Sequence, residues 1–149
     1  FDALLLQSID KKKFTKNDFR VVTKIKPSKK ILNDLIFAFN VCRNVKSNAI
    51  VLTKDSSTVG IGSGQPSRLD SCRIAIEKMR KFHKIDKDDL ILGASDAFFP
   101  FVDGIETLVQ NGVGAIIQPS GSIRDKEIIK FADEVGIILV FSNTRHFKH

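Results

Sequence analysis

"LILGASDAFFPFVDGIETLVQNGVGAIIQ", residues 90–118, decides the fold class. It opens and closes on apolar runs, Leu90 to Ala94 and Gly114 to Gln118. Between them, Ile105, Leu108 and Gly112 recur at helical spacing. A third apolar run, Ile137 to Phe141, follows a helical pattern carried by Ile128, Ile129, Ala132 and Val135. Apolar runs without alternation read as strands buried on both faces, and strands joined by helices of about ten residues are parallel neighbours.

Further strand-like runs lie upstream: Ala3 to Leu6, Arg20 to Thr23, Ala49 to Thr53 and Val59 to Gly62. Leu32, Leu35, Ile36 and Phe39 predict one helix, and Leu69, Cys72, Ile76 and Met79 another. Pro27-Ser28 marks the start of the first helix and Gly136 the end of the last. Asp55-Ser56-Ser57 reads as a hairpin turn, which makes the sheet mixed. The expected fold class is α/β, with a mixed, largely parallel sheet in one domain, 1-149.

Composition agrees. A chain of 149 residues can bury a sizeable core, and 42% hydrophobic with 28% charged residues is a soluble globular balance. No apolar run approaches the length of a membrane span, and no leader pattern is present. The start at Phe1, without Met, is read as the mark of a piece of a longer chain. Cys42 and Cys72 fall in helical patterns, outside any CxxC or metal-ligand spacing, and read as small apolar residues in a reducing, cytoplasmic compartment. The net charge is +7, but no nucleic-acid-reading motif accompanies it. A surface that gathers phosphorylated or polycarboxylate small molecules fits it as well.

Ligands in such sheets collect where strand C-termini hand over to helices. Three segments fall there: Gly60 to Arg68, Ser95 to Asp103 and Gln118 to Arg124. In "GIGSGQPSRLDS" (60–71), the glycines could let backbone approach a ligand, although the spacing is not GxGxxG. Arg68 at a helix start opposes the dipole there, and an anion would relieve it. In "IQPSGSIRDKE" (117–127), Ser122 is expected to cap a helix, with Asp125 three residues on. In "SDAFFPFVDGIE" (95–106), Asp103 and Glu106 have capping-box spacing. The other reading of Asp103 is an acceptor for the ring N–H groups of a pterin or purine. Phe98, Phe99 and Phe101 around Pro100 cannot all point inward, so at least one is expected to face the rim. In the tail "SNTRHFKH" (142–149), Phe147 is the expected anchor for otherwise solvated charge. Neither His146 nor His149 has a neighbour that suggests a nucleophilic triad.

"GIGSGQPSRLDSCR", "ASDAFFPFVDGIE", "GVGAIIQPSGSIRDKEII" and "RHFKH" together resemble the C-terminal part of the AICAR transformylase family. This is the formyl-transferring half of a bifunctional purine biosynthesis enzyme whose other half is IMP cyclohydrolase. The resemblance covers nearly the whole chain and is strongest from Val45 to His149. It implies a cytidine-deaminase-like, three-layer α/β/α subdomain without the deaminase zinc. It implies transfer of a formyl group from 10-formyltetrahydrofolate, as co-substrate, to the 5-amino group of AICAR. It also implies a cytoplasmic homodimer with sites at the subunit interface, and no metal, nucleic acid or membrane partner. By the same resemblance, Asn48, Arg68, Phe98 and Arg145 contact AICAR, Phe98 by stacking near the imidazole. Leu69, Asp103, Ser122 and Ile123 line the folate site, and His149 lies near the substrate as an auxiliary. The family's catalytic Lys-His pair lies in a preceding subdomain, and the dipeptide Lys148-His149 is not that pair. The chain is therefore expected to supply substrate and folate walls and to be inactive alone. The alternative readings are a non-catalytic nucleotide-binding or regulatory module of the same fold and, more remotely, a basic nucleic-acid-binding domain.

Overall fold

The computed structural model describes residue 4 and residues 6–149, apart from the side chain of Lys16. After a short turn of 3-10 helix, Lys16–Asp18, the elements are β1 (Phe19–Val21), α1 (Lys29–Cys42), β2 (Ile50–Lys54), β3 (Ser57–Gly62), α2 (Arg68–Phe82), β4 (Ile91–Ser95), α3 (Val102–Val109), β5 (Val113–Pro119), α4 (Asp125–Val135) and β6 (Ile138–Ser142). One six-stranded sheet runs in the order β1-β6-β5-β4-β2-β3. β4, β5 and β6 pair in parallel, while β1 and β2 run against their neighbours. Four strands thus point one way, and their C-terminal ends share one edge.

The pleat explains the layers. Ile50, Leu52, Ile91, Ile116, Leu139 and Phe141 face a core with Cys72, Ala75, Ile76 and Met79 of α2, Ile105 and Leu108 of α3, and Ile128 and Ala132 of α4. The alternate residues Val51, Leu92, Ala94, Ala115, Ile117 and Val140 face Leu35, Ala38, Phe39 and Cys42 of α1. The central strands are therefore apolar on both sides. The result is a three-layer α/β/α fold on a mixed sheet.

Local chemistry sets the boundaries. The Ser28 hydroxyl accepts the Ile31 N–H and caps α1. Asp55 and Ser56 both have positive φ (48° and 56°), as a tight hairpin between β2 and β3 requires. Gly136, at φ 76°, ends α4 in the left-handed region.

Some expectations need correction. Of the run Ala3 to Leu6, Ala3 and Leu5 lie outside the described residues, and Leu4 and Leu6 are exposed in no regular element. The sheet edge beside β6 is taken by β1. Gly112 does not extend α3, which ends at Val109; with φ 89° it turns the chain into β5. Gly60 and Gly62 serve α2 rather than a ligand. A Cβ there would stand 2.1 Å from the Ala75 carbonyl oxygen and 1.9 Å from that of Ser71, so their absence lets α2 lie directly on β3.

Candidate functional site

A cavity of about 490 Å³ opens at the shared strand edge, between the N-terminus of α2, the β4–α3 loop and the C-terminal tail. Asn48, Arg68, Leu69, Phe98, Asp103 and Arg145 all line it. These six come from four separate stretches of sequence.

Two cations lie in it, in different states. Arg68 is buried and is already neutralised by Asp96. Its Nη1 also donates to Ser95 Oγ (2.8 Å) and its Nη2 to Asn48 Oδ1 (2.7 Å). The anion that its place at a helix start calls for is thus internal, which corrects the expectation of an external one. Arg145 differs. Its guanidinium lies over the Phe98 ring at 5.1 Å from the centroid, and among the described residues it has no carboxylate partner. An anion entering the cavity meets Arg145 as its uncommitted charge.

The three phenylalanines divide by depth. Phe99 is buried, and its ring would meet any Cβ on Gly104 at 2.5 Å. Phe98 is half-buried in the cavity wall, and Phe101 is exposed. Asp103 is not a helix cap. α3 begins at Val102 with Phe101 in the capping position, so Asp103 sits in the first turn and is exposed. One of its oxygens accepts the Gly104 N–H at 2.7 Å.

Ser122 and Ile123 do not line the cavity. Ile123 is fully exposed, and Ser122 is half-buried three residues before the start of α4. The expected cap is only half formed: the Ser122 hydroxyl accepts from the Arg124 N–H, while the Asp125 carboxylate accepts from the N–H groups of Gly121 and Ser122. Their loop borders the cavity, because Arg124 lies 4.8 Å over the Phe101 ring and Gly121 lies beside the Arg145 guanidinium.

His149 falls in a second hollow of about 370 Å³ with Gln7, Asp10 and Arg43, its ring stacked on Phe147 (6.3 Å, 5°). Phe147 is 45% exposed and does not anchor the tail. His146 does. It is 2% exposed, packed edge-on against Phe14 and Phe39, with Nδ1 bonded to the Asp10 carboxylate. Burial lowers its pKa, against the pull of Asp10, so the ring is neutral and Nδ1–H donates. Its backbone N–H donates to Asp96 O, and Ser47 N–H to Lys148 O, pinning the tail to the loops just before β2 and just after β4. No sequence signal separated His146 from the solvated charge around it.

The cysteines are inert: burial pushes the Cys42 thiol far up and that of Cys72 to about 12. Among the described residues no three His, Cys, Asp or Glu side chains gather as a metal site, and no helix is long and apolar enough to cross a membrane.

The family described as AICARFT/IMPCHase bienzyme matches residues 1–78. Curated proteins called bifunctional purine biosynthesis protein PurH align over 99% of the chain, at 48% identity from Bartonella bacilliformis, 51% from Brucella anthropi and 47% from Persephonella marina. The chain spans about 28% of the length of these relatives. A crystal structure of a diaminohydroxyphosphoribosylaminopyrimidine deaminase/5-amino-6-(5-phosphoribosylamino)uracil reductase from Thermotoga maritima aligns at TM-score 0.42 and 15% identity, over 74% of this chain and 34% of that one.

Proposed function

We propose that this chain, which belongs to the AICARFT/IMPCHase bienzyme family, is the C-terminal subdomain of the formyl-transferring half. Its work is to hold AICAR and 10-formyltetrahydrofolate side by side in de novo purine biosynthesis. The observation that carries the reading is the cavity in which Asn48, Arg68, Phe98 and Arg145 meet Leu69 and Asp103.

Each wall suits one part of the two ligands. The uncommitted charge of Arg145 fits the phosphate of a nucleotide, which a guanidinium binds with directional, charge-assisted hydrogen bonds. Phe98 offers a flat face for the imidazole. Asn48 and Arg68 are held rigid and present polar groups to the substrate. Asp103, exposed in the first turn of α3, keeps one oxygen clear of the Gly104 N–H to accept pterin ring N–H groups. Leu69 gives an apolar side, while Ser122 and Ile123 stand on the bordering loop outside the cavity wall. His149 stands apart and acts at most through the tail.

In the transfer, the amine nitrogen of AICAR bonds to the formyl carbon and gives up a proton, while the bond from that carbon to folate N10 breaks, N10 leaving with the electron pair and taking up a proton. This chain contributes proximity and orientation. The Lys-His pair expected in a preceding subdomain takes the proton and stabilises the developing charge. A cytoplasmic homodimer with its sites at the subunit interface completes the proposal.

The test uses the full-length bifunctional protein and reads both activities. Arg145→Ala should raise KM for AICAR in formyl transfer about tenfold or more, from loss of a contact worth about 1.5–3 kcal/mol. KM for folate should move less, and cyclohydrolase activity should be unchanged. Loss of cyclohydrolase activity with normal formyl transfer would assign the chain to the other half.

A further inference from the structure

Asp96 has no part in the reading above, yet its side chain is fully buried where β4 meets the loop of Phe98. One carboxylate oxygen takes Arg68 Nη1 and the other takes the Ser47 hydroxyl. The neighbours of this pair are fixed in turn. Ser95 Oγ, which accepts from Arg68 at 2.8 Å, spends its own proton on Ala97 O at 2.6 Å. Asn48, which accepts from Arg68 at 2.7 Å, donates through Nδ2 to Gln65 O (2.9 Å) and Pro66 O (3.0 Å). Lys148 N–H reaches Ser47 Oγ at 3.2 Å, tying the tail to the same group.

A buried ion pair is weak evidence of stability, because desolvation offsets much of the attraction. What it does supply is geometry. Here every acceptor on Arg68 is itself immobilised, and a guanidinium has donors to spare beyond these contacts.

We infer that Asp96 is a positioning residue for AICAR: its carboxylate, steadied by Ser47, locks the Arg68 guanidinium, itself braced by Asn48, in the orientation that offers its unspent N–H groups to the cavity. The inference rests on the reading of this cavity as the AICAR site. Without the carboxylate, Arg68 is a buried charge lacking its counterion, free to turn toward any anion.

The experiment measures formyl-transfer kinetics and cyclohydrolase activity of the full-length protein for Arg68→Lys, Asp96→Asn, their combination and Ser47→Ala. Asp96→Asn should raise KM for AICAR about tenfold or more, as loss of a charge-assisted buried pair implies, with KM for folate within about twofold. Cyclohydrolase activity should stay normal. Arg68→Lys should give a similar rise, and the double variant little more than either single one, since both changes break one contact. Ser47→Ala, which removes one hydroxyl from the carboxylate, should raise KM by about two- to fivefold. Normal KM for AICAR in Asp96→Asn, or additive effects in the double variant, overturns the inference. If Asp96→Asn does not fold, an unchanged KM in Ser47→Ala overturns it instead. If Arg68→Lys itself leaves KM for AICAR unchanged, the cavity is not the AICAR site and the underlying reading fails.

Discussion

Gly62→Ala should destabilise the protein, and the reason lies in α2. A Cβ at Gly62 would stand 1.9 Å from the Ser71 carbonyl oxygen, 2.6 Å from its carbon and 2.7 Å from its Cα. All three are helix backbone, so no side chain can swing aside. The strand cannot yield easily either, because Gly62 pairs with Ile50 in the β2–β3 ladder. α2 must therefore lift by roughly 1.5 Å to reach an ordinary contact, opening the core between Cys72, Ala75 and the sheet. Overpacking of this kind costs about 1–3 kcal/mol, enough to lower Tm by several degrees in a chain of this size. Gly64→Ala is the control. Gly64 has no atom within 4 Å of a built Cβ, and its φ of 67° alone charges the substitution about 1 kcal/mol. The assay is denaturant and thermal melting of the full-length protein, with hydrogen exchange read on the α2 and β3 peptides. Gly62→Ala should lose protection in α2 and Gly64→Ala should not. A Gly62→Ala protein that melts and exchanges like wild type, with ligand affinity alone reduced, would restore the ligand-approach role and refute the packing argument.

Two further outcomes concern Asp103 and the His146–Asp10 pair. Asp103→Asn should leave Tm nearly unchanged, because Asp103 does not cap α3. It should weaken a folate analogue about tenfold by presenting an amide donor to ring N–H groups, and equal affinity by titration would remove Asp103 from the folate site. Burial lowers the His146 pKa from its ordinary 6.5, so the folded state refuses a proton that the unfolded chain accepts. Stability is then complete above about pH 6.5 and falls as the pH drops toward the lowered value. Asp10, whose pKa is also lowered, extends the loss below its ordinary 3.8. His146→Phe should flatten the fall of Tm between about pH 7 and about pH 5, and parallel curves for variant and wild type would show that His146 does not drive it.

The fold was legible because the strongest periodicities were also the deepest. Ile91 to Ala94, Ala115 to Ile117 and Leu139 to Val140 are near-fully buried on both sheet faces, so their sequences carry no polar interruption to mislead. The hairpin showed through Asp55 and Ser56, both common turn residues, of which Asp also tolerates positive φ. The N-terminal run failed for the opposite reason. Leu4 and Leu6 have the composition of a strand, but strand formation needs a partner edge, which sequence composition does not report.

The lining of the cavity was partly legible, in Asn48, Arg68, Leu69, Phe98, Asp103 and Arg145, and its charge pairing was not. Arg68, Phe98 and Asp103 could be singled out because each broke a local rule: a cation at a helix start, an aromatic beside proline, a carboxylate beside apolar loop residues. The partner of each depends on contacts between distant positions, from Arg68 to Asp96 and from Asn48 to Arg68. One-dimensional spacing cannot express those contacts. The same limit hid His146, whose partner Asp10 lies 136 residues away. Local sequence marks Arg68 as the cation in want of an anion, at a helix start, and leaves Arg145 among the solvated charges of the tail. The fold neutralises Arg68 with Asp96 and leaves Arg145 over Phe98 without a carboxylate among the described residues. In the proposed reading, a nucleotide phosphate is therefore drawn to Arg145, while Arg68 serves by its fixed geometry. That division is why loss of Arg145 should act through lost charge, and loss of Asp96 through lost orientation of a charge that remains.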